Sequence, residues 1–99
     1  MKITTDLTNE AVLHEMGLRI ARRRIGAGLT QAHLAEEAGI GKRTLERIER
    51  GESAQVATLI RVLRRLGSFG ELDLLVPEAS NEDRLDGGRL RQRASPRAA

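Results

Sequence analysis

Glycines at short intervals restrict the possible folds of this chain more than any other feature. Apolar residues recur at the spacing of one helix face, but each run is cut off: by Gly26 and Gly28, by Gly39, by Gly51, and by Gly67 with Gly70, while Pro77 closes the last. The pattern predicts a row of short helices. The first runs from Glu10 to about Ile25, with Leu13, Met16, Ile20 and Ala21 inward and Arg22, Arg23 and Arg24 in its last turn, where cations favour the negative end of the helix dipole. Thr30 caps a second helix, Gln31–Ala38, whose inward positions are Leu34, Ala35 and Ala38. Gly39 can supply the positive φ that ends a helix within one residue. Ile40 returns to the core, and a third helix, Lys42–Arg50, follows with Leu45 and Ile48 inward. A fourth is expected from about Ala54 to Leu66, on a stripe of Val56, Leu59, Ile60, Leu63 and Leu66, and a fifth over Glu71–Val76. Phe69 is the only aromatic residue, so the core must be aliphatic, which suits packed short helices better than a sheet.

Ninety-nine residues suffice for one small domain. Its expected extent is 10–77. Residues 1–9 form an arm that reads as either a short edge strand or a loose segment, with Thr8 and Asn9 as candidate helix caps. Residues 78–99 hold Leu85, Leu90, Gly87-Gly88, Pro96 and five arginines; too little apolar surface is available to offset ordering entropy, so a flexible basic tail is expected.

Composition excludes several function classes. There is no Cys, hence no disulfide framework and no thiolate chemistry. His14 and His33 stand apart from other ligands and read as surface residues, so neither a metal nor another cofactor is expected. No apolar run approaches the roughly 18 residues of a membrane span, and no signal-peptide pattern opens the chain, which reads as cytoplasmic. No Ser/His/Asp or Cys/His arrangement and no phosphate-cradling glycine loop is present, so an enzyme is not expected. The chain has 17 basic against 14 acidic residues, a net charge of +3. The balance suggests a polyanionic partner, but the acidic residues argue against a nonspecific polycation, so charge has to be sorted by face.

The stretch Gln31–Gly51, QAHLAEEAGIGKRTLERIERG, is the informative one. A major groove about 12 Å wide admits one helix. To present it, two short helices must cross steeply with almost no loop. Ala35 permits the close approach, Gly39 the tight turn, and Leu34, Ile40, Leu45 and Ile48 anchor both helices. The outer face of the second then carries Lys42, Arg43, Glu46, Arg47 and Arg50.

These residues resemble the helix-turn-helix of the Cro/CI (Xre) family of prokaryotic regulators. The similarity extends from about Met16 to Leu66, through Gly28-Leu29-Thr30-Gln31, Leu34-Ala35, Ala38-Gly39-Ile40, Thr44-Leu45, Arg47-Ile48-Glu49-Arg50-Gly51 and Thr58-Leu59. Gly41 departs from it, standing where the family usually has Ser or Thr. The resemblance implies an all-α, five-helix, lambda-repressor-like domain that binds double-stranded DNA. It also implies roles. Lys42, Arg43 and Arg47 would face base edges, and Gln31, Thr44 and Arg50 would hold phosphates. Glu49 would pair with Arg24 of the first helix and lock the third in place. Glu46 could accept from a cytosine amino group or pair with Lys42 and Arg50 one helical turn away; the intrahelical pairing is the favoured reading.

Such modules normally read operators in pairs, which implies a homodimer on a palindromic site. Phe69, Leu72, Leu74, Leu75 and Val76 crowd more apolar groups into eight residues than one short helix can bury in its own core, and are the candidate interface. A weaker resemblance covers the ends: ITTDLT, Gly51-Glu52-Ser53, the run from Thr58 to Leu63, Leu72–Glu78 and Arg91-Gln92-Arg93-Ala94 are similar to HipB-like antitoxins. It implies an autorepressor of a toxin–antitoxin operon, partnered by a HipA-like kinase; a stand-alone phage-type repressor or a protein-only interaction module would share the core features.

Overall fold

The computed structural model describes residues 1–79, and the rest of the expected basic tail lies outside the described residues. Five helices follow one another: α1 (Asn9–Gly26), α2 (Gln31–Ala38), α3 (Lys42–Glu49), α4 (Val56–Arg65) and α5 (Phe69–Leu75). Among the described residues there is no strand, and no helix is long and apolar enough to cross a membrane.

Local chemistry explains most of the boundaries. The Thr8 hydroxyl accepts from the Ala11 N–H at 3.1 Å and starts α1; the Thr30 hydroxyl does the same for α2 through the His33 N–H, also at 3.1 Å. Gly26 does not stop α1. It stays helical, and the chain turns at Gly28, whose φ is 74°. At Gly39 φ is 72°, and the Ile40 N–H reaches back to the Ala35 carbonyl at 2.9 Å, closing α2 in a Schellman-like turn. The arm is neither strand nor loose: it turns at Thr4–Leu7, and Arg19 of α1 donates to the Met1 carbonyl at 2.6 Å.

The core is a cluster of Ile20, Leu29, Leu34, Ala35, Leu45, Ile48 and Val62, with Ile40, Leu59 and Leu66 packed on it. The expected stripe of α4 holds in part: Leu59 and Leu66 pack on the core and Ile60 and Leu63 are half-buried, but its centre is elsewhere. Val62 is completely buried, while Val56 is 69% exposed. More than half of the residues of α4 are apolar, so periodicity alone leaves the centre of its stripe undetermined, and α4 begins two residues later than Ala54. α5 begins at Phe69, ahead of Glu71, and contributes no fully buried residue. It is tied instead by polar contacts: the Arg23 guanidinium donates to both Glu71 carboxylate oxygens (2.8 and 2.9 Å) and to the Ser68 hydroxyl.

Two glycines set the distance between α1 and α3. A Cβ on buried Gly17 would lie 2.6 Å from the Ile48 carbonyl oxygen and 2.7 Å from that of Glu49. Gly51, with φ 88°, passes equally close to the backbone of His14.

Candidate nucleic-acid interface

α2 and α3 are eight residues each, too short to persist alone in water, so packing sets their angle. Ala35 is buried between them, and Leu45 and Ile48 face the core. On so short a helix this leaves the rest of the surface of α3 outward. Lys42, Arg43, Arg47 and Arg50 are exposed there, and Thr44 and Glu46 are half-buried. Arg50 is the C-cap of α3 and no longer part of it.

The C-terminal end of α3 is anchored by one carboxylate. Glu49 accepts from Arg24 Nε at 2.8 Å and Nη2 at 3.1 Å, and from the Gln31 amide at 3.1 Å. Arg24 also donates to the Leu29 carbonyl at 2.8 Å. The pair is largely buried, with side-chain exposures of 13% and 7%. Bidentate, charge-assisted bonds of this kind fix geometry as well as energy. They join the end of α1, the following turn, the start of α2 and the end of α3. Gln31, expected at a phosphate, thus spends one amide N–H on Glu49 and keeps the second.

Pairing sorts the charges by face. Arg19 is matched by Glu15, Arg23 by Glu71, Arg24 by Glu49, Arg50 by Glu52 and Arg65 by Glu37. Lys42, Arg43 and Arg47 have no carboxylate partner among the described residues. The favoured pairing of Glu46 with Lys42 and Arg50 is not formed. Arg50 has left the helix, and the turn at Gly51 brings Glu52 to 3.3 Å from its guanidinium. Glu46 therefore stands without an ion pair among the described residues.

Beside this face lies a polar notch. Thr44 of α3 meets Gln55, Thr58 and Arg61 across it, with Gly39 and Gly41 at its edge. Gln55, Thr58 and Arg61 were not among the expected site residues, because their place depends on how α4 folds back past the start of α3. Gly41 caps α3 without a side-chain bond. α5 leaves Leu75 and the following Val76 exposed and Phe69 partly so, under the Arg64 guanidinium 4.3 Å from its ring centroid; Leu72 is half-buried.

A helix-turn-helix family model matches residues 20–72, just over half of the chain, from mid-α1 into α5. The chain belongs to the Cro/CI-type helix-turn-helix family. No curated protein matches it at a significant level. Family membership makes this helix-turn-helix protein a DNA-binding transcriptional regulator, and both helices of the motif, α2 and α3, lie wholly inside the matched span.

Proposed function

We propose that this helix-turn-helix protein is a dimeric repressor that lays α3 in the major groove of a palindromic operator. The distribution of ion pairs carries the reading. Three exposed cations, Lys42, Arg43 and Arg47, stand together on one eight-residue helix with no carboxylate partner among the described residues, whereas Arg19, Arg23, Arg24, Arg50 and Arg65 are each held by a glutamate. Duplex DNA supplies the missing partners. Lys42, Arg43 and Arg47 bind base edges, for which Arg or Lys to guanine O6 and N7 is the commonest specific contact. Glu46, which forms no ion pair among the described residues, accepts from a cytosine amino group. Gln31 uses its remaining amide N–H on a phosphate, Thr44 its hydroxyl, and Arg50 its guanidinium once the exposed Glu52 contact is given up, which costs little. A protein-only module has no use for an unpaired cationic ridge of this kind.

The finer assignment, an antitoxin that represses its own operon and binds a HipA-like kinase, rests on the similarity of the chain ends to HipB-like proteins. Co-purification with the product of a neighbouring kinase-like gene would support it; failure of such a protein to bind would leave the stand-alone repressor.

Selection of bound duplexes from a random pool tests the DNA reading. A palindromic consensus is expected. Arg43→Ala and Arg47→Ala should each weaken binding to it by about 1–3 kcal/mol and relax one base position, while Gln31→Ala weakens all sequences alike. Alanine variants that bind and select as the wild type does would remove α3 from the role of reader.

A further inference from the structure

α4 carries three arginines in different circumstances. Arg65 donates to both oxygens of Glu37, at 2.9 and 2.6 Å. Arg64 lies over the Phe69 ring. Arg61 forms no ion pair among the described residues, the nearby Glu37 being bonded to Arg65; its one hydrogen bond runs from Nη1 to the Gly39 carbonyl at 3.1 Å, at the C-terminal end of α2. That bond holds the guanidinium at the wall of the polar notch it shares with Thr44, Gln55 and Thr58. A guanidinium has five N–H donors in a fixed fork suited to phosphate, and only one is used here.

We propose that Arg61 is a positioning residue that grips a DNA backbone phosphate at the N-terminal end of α3. Charge complementarity and place both support this. The notch is continuous with the base-facing surface through Thr44 and Gly41, and Arg61 extends the unpaired cations of α3 onto a second helix. Gln31 is bonded to Glu49 at the other end of α3. Gln31 and Arg61 therefore lie beside opposite ends of α3, where each can hold a backbone phosphate flanking the helix. The Gly39 bond keeps Arg61 aligned before DNA arrives.

This rests on the DNA reading above, and the experiment separates the two. Affinity of the full chain for the selected duplex and for a scrambled one is measured against salt concentration, for wild type, Arg61→Gln and Arg61→Lys. Releasing one phosphate contact should make the slope of log affinity on log salt shallower by about 0.9 per bound protomer. Arg61→Gln should show that loss, weaken both duplexes by the same factor and leave the selected consensus unchanged; Arg61→Lys should keep most of the slope. If Arg61 only caps α2, Arg61→Gln lowers the melting temperature but leaves the slope intact, and the proposal falls while the DNA reading stands. A wild type that binds neither duplex overturns both. Arg61→Met replaces the glutamine variant if that one does not fold.

Discussion

Gly17 sits mid-helix, where glycine ordinarily weakens a helix relative to alanine, yet it is the residue on which the crossing of α1 and α3 depends. Its missing Cβ is the space occupied by the Ile48 and Glu49 carbonyl oxygens. Both obstacles are backbone, so neither can swing aside. Gly17→Ala should destabilise the domain by about 1–3 kcal/mol, the range for overpacking, read as a fall in the thermal midpoint. Gly26→Ala is the control: Gly26 is helical, a methyl group there would meet nothing within 4 Å, and the change should raise stability by about 0.4–1 kcal/mol. Equal effects of the two changes would refute the close-approach argument. Gly39 was legible in the sequence, because a turn between two apolar runs calls for positive φ at one residue. Gly17 was not, since its partners lie on a helix far along the chain and no local pattern reports on them. The same holds for Arg61, whereas Lys42, Arg43 and Arg47 could be read directly from the spacing of Leu45 and Ile48.

The helices are joined by a thin core and a set of arginine–glutamate ties. The start and end of most helices followed from caps and glycines, as at Thr8, Thr30 and Gly39. The facing of α4 did not, because its neighbouring apolar residues allow several stripes and only the tertiary fit selects Val62. The ties make a pH prediction. Bonding to Arg65 lowers the Glu37 carboxyl below its ordinary value, bonding to Arg23 lowers Glu71, and bonding to Arg19 lowers Glu15 despite its burial. The first two join α2 to α4 and α1 to α5. A carboxyl lowered in the folded state binds fewer protons there than in the unfolded chain, so its stabilisation is fully present above the unfolded value of about 4.3. It is lost as pH falls through that value towards the folded ones. Thermal midpoints should hold steady near neutrality and drop progressively below about pH 5. The Glu71→Gln variant should start lower near neutrality and lose less on acidification; an unchanged acid profile in that variant would show that the Arg23–Glu71 tie contributes nothing.

At the scale of the molecule, a single eight-residue helix laid in a groove can reach only a few base pairs, and the proposed dimer would multiply affinity by holding a second copy in register. The exposed apolar residues at the end of α5 are where such a copy would bind. Leu74, Leu75 and Val76 are 75%, 66% and 80% exposed, and Leu75 stands at the rim of an apolar cleft with Ile3, Met16, Ile20, Leu59 and Leu63. Leu75 is the informative position because Leu72 is half-buried in its own subunit and its loss would confuse folding with association. In a protein that works as a monomer, Leu75→Asp is a surface change of little consequence. In a dimer it places a charge in a desolvated interface. The expected result is a normal helical spectrum, a shift to monomer in sedimentation, and operator affinity reduced by about 10²–10⁴-fold, the gain that joining two sites provides. Binding of each half-site by a monomer should be unchanged. A wild type that sediments as a monomer at tens of micromolar, or a Leu75→Asp variant that binds the full operator undiminished, would mean that the exposed end of α5 serves something other than pairing.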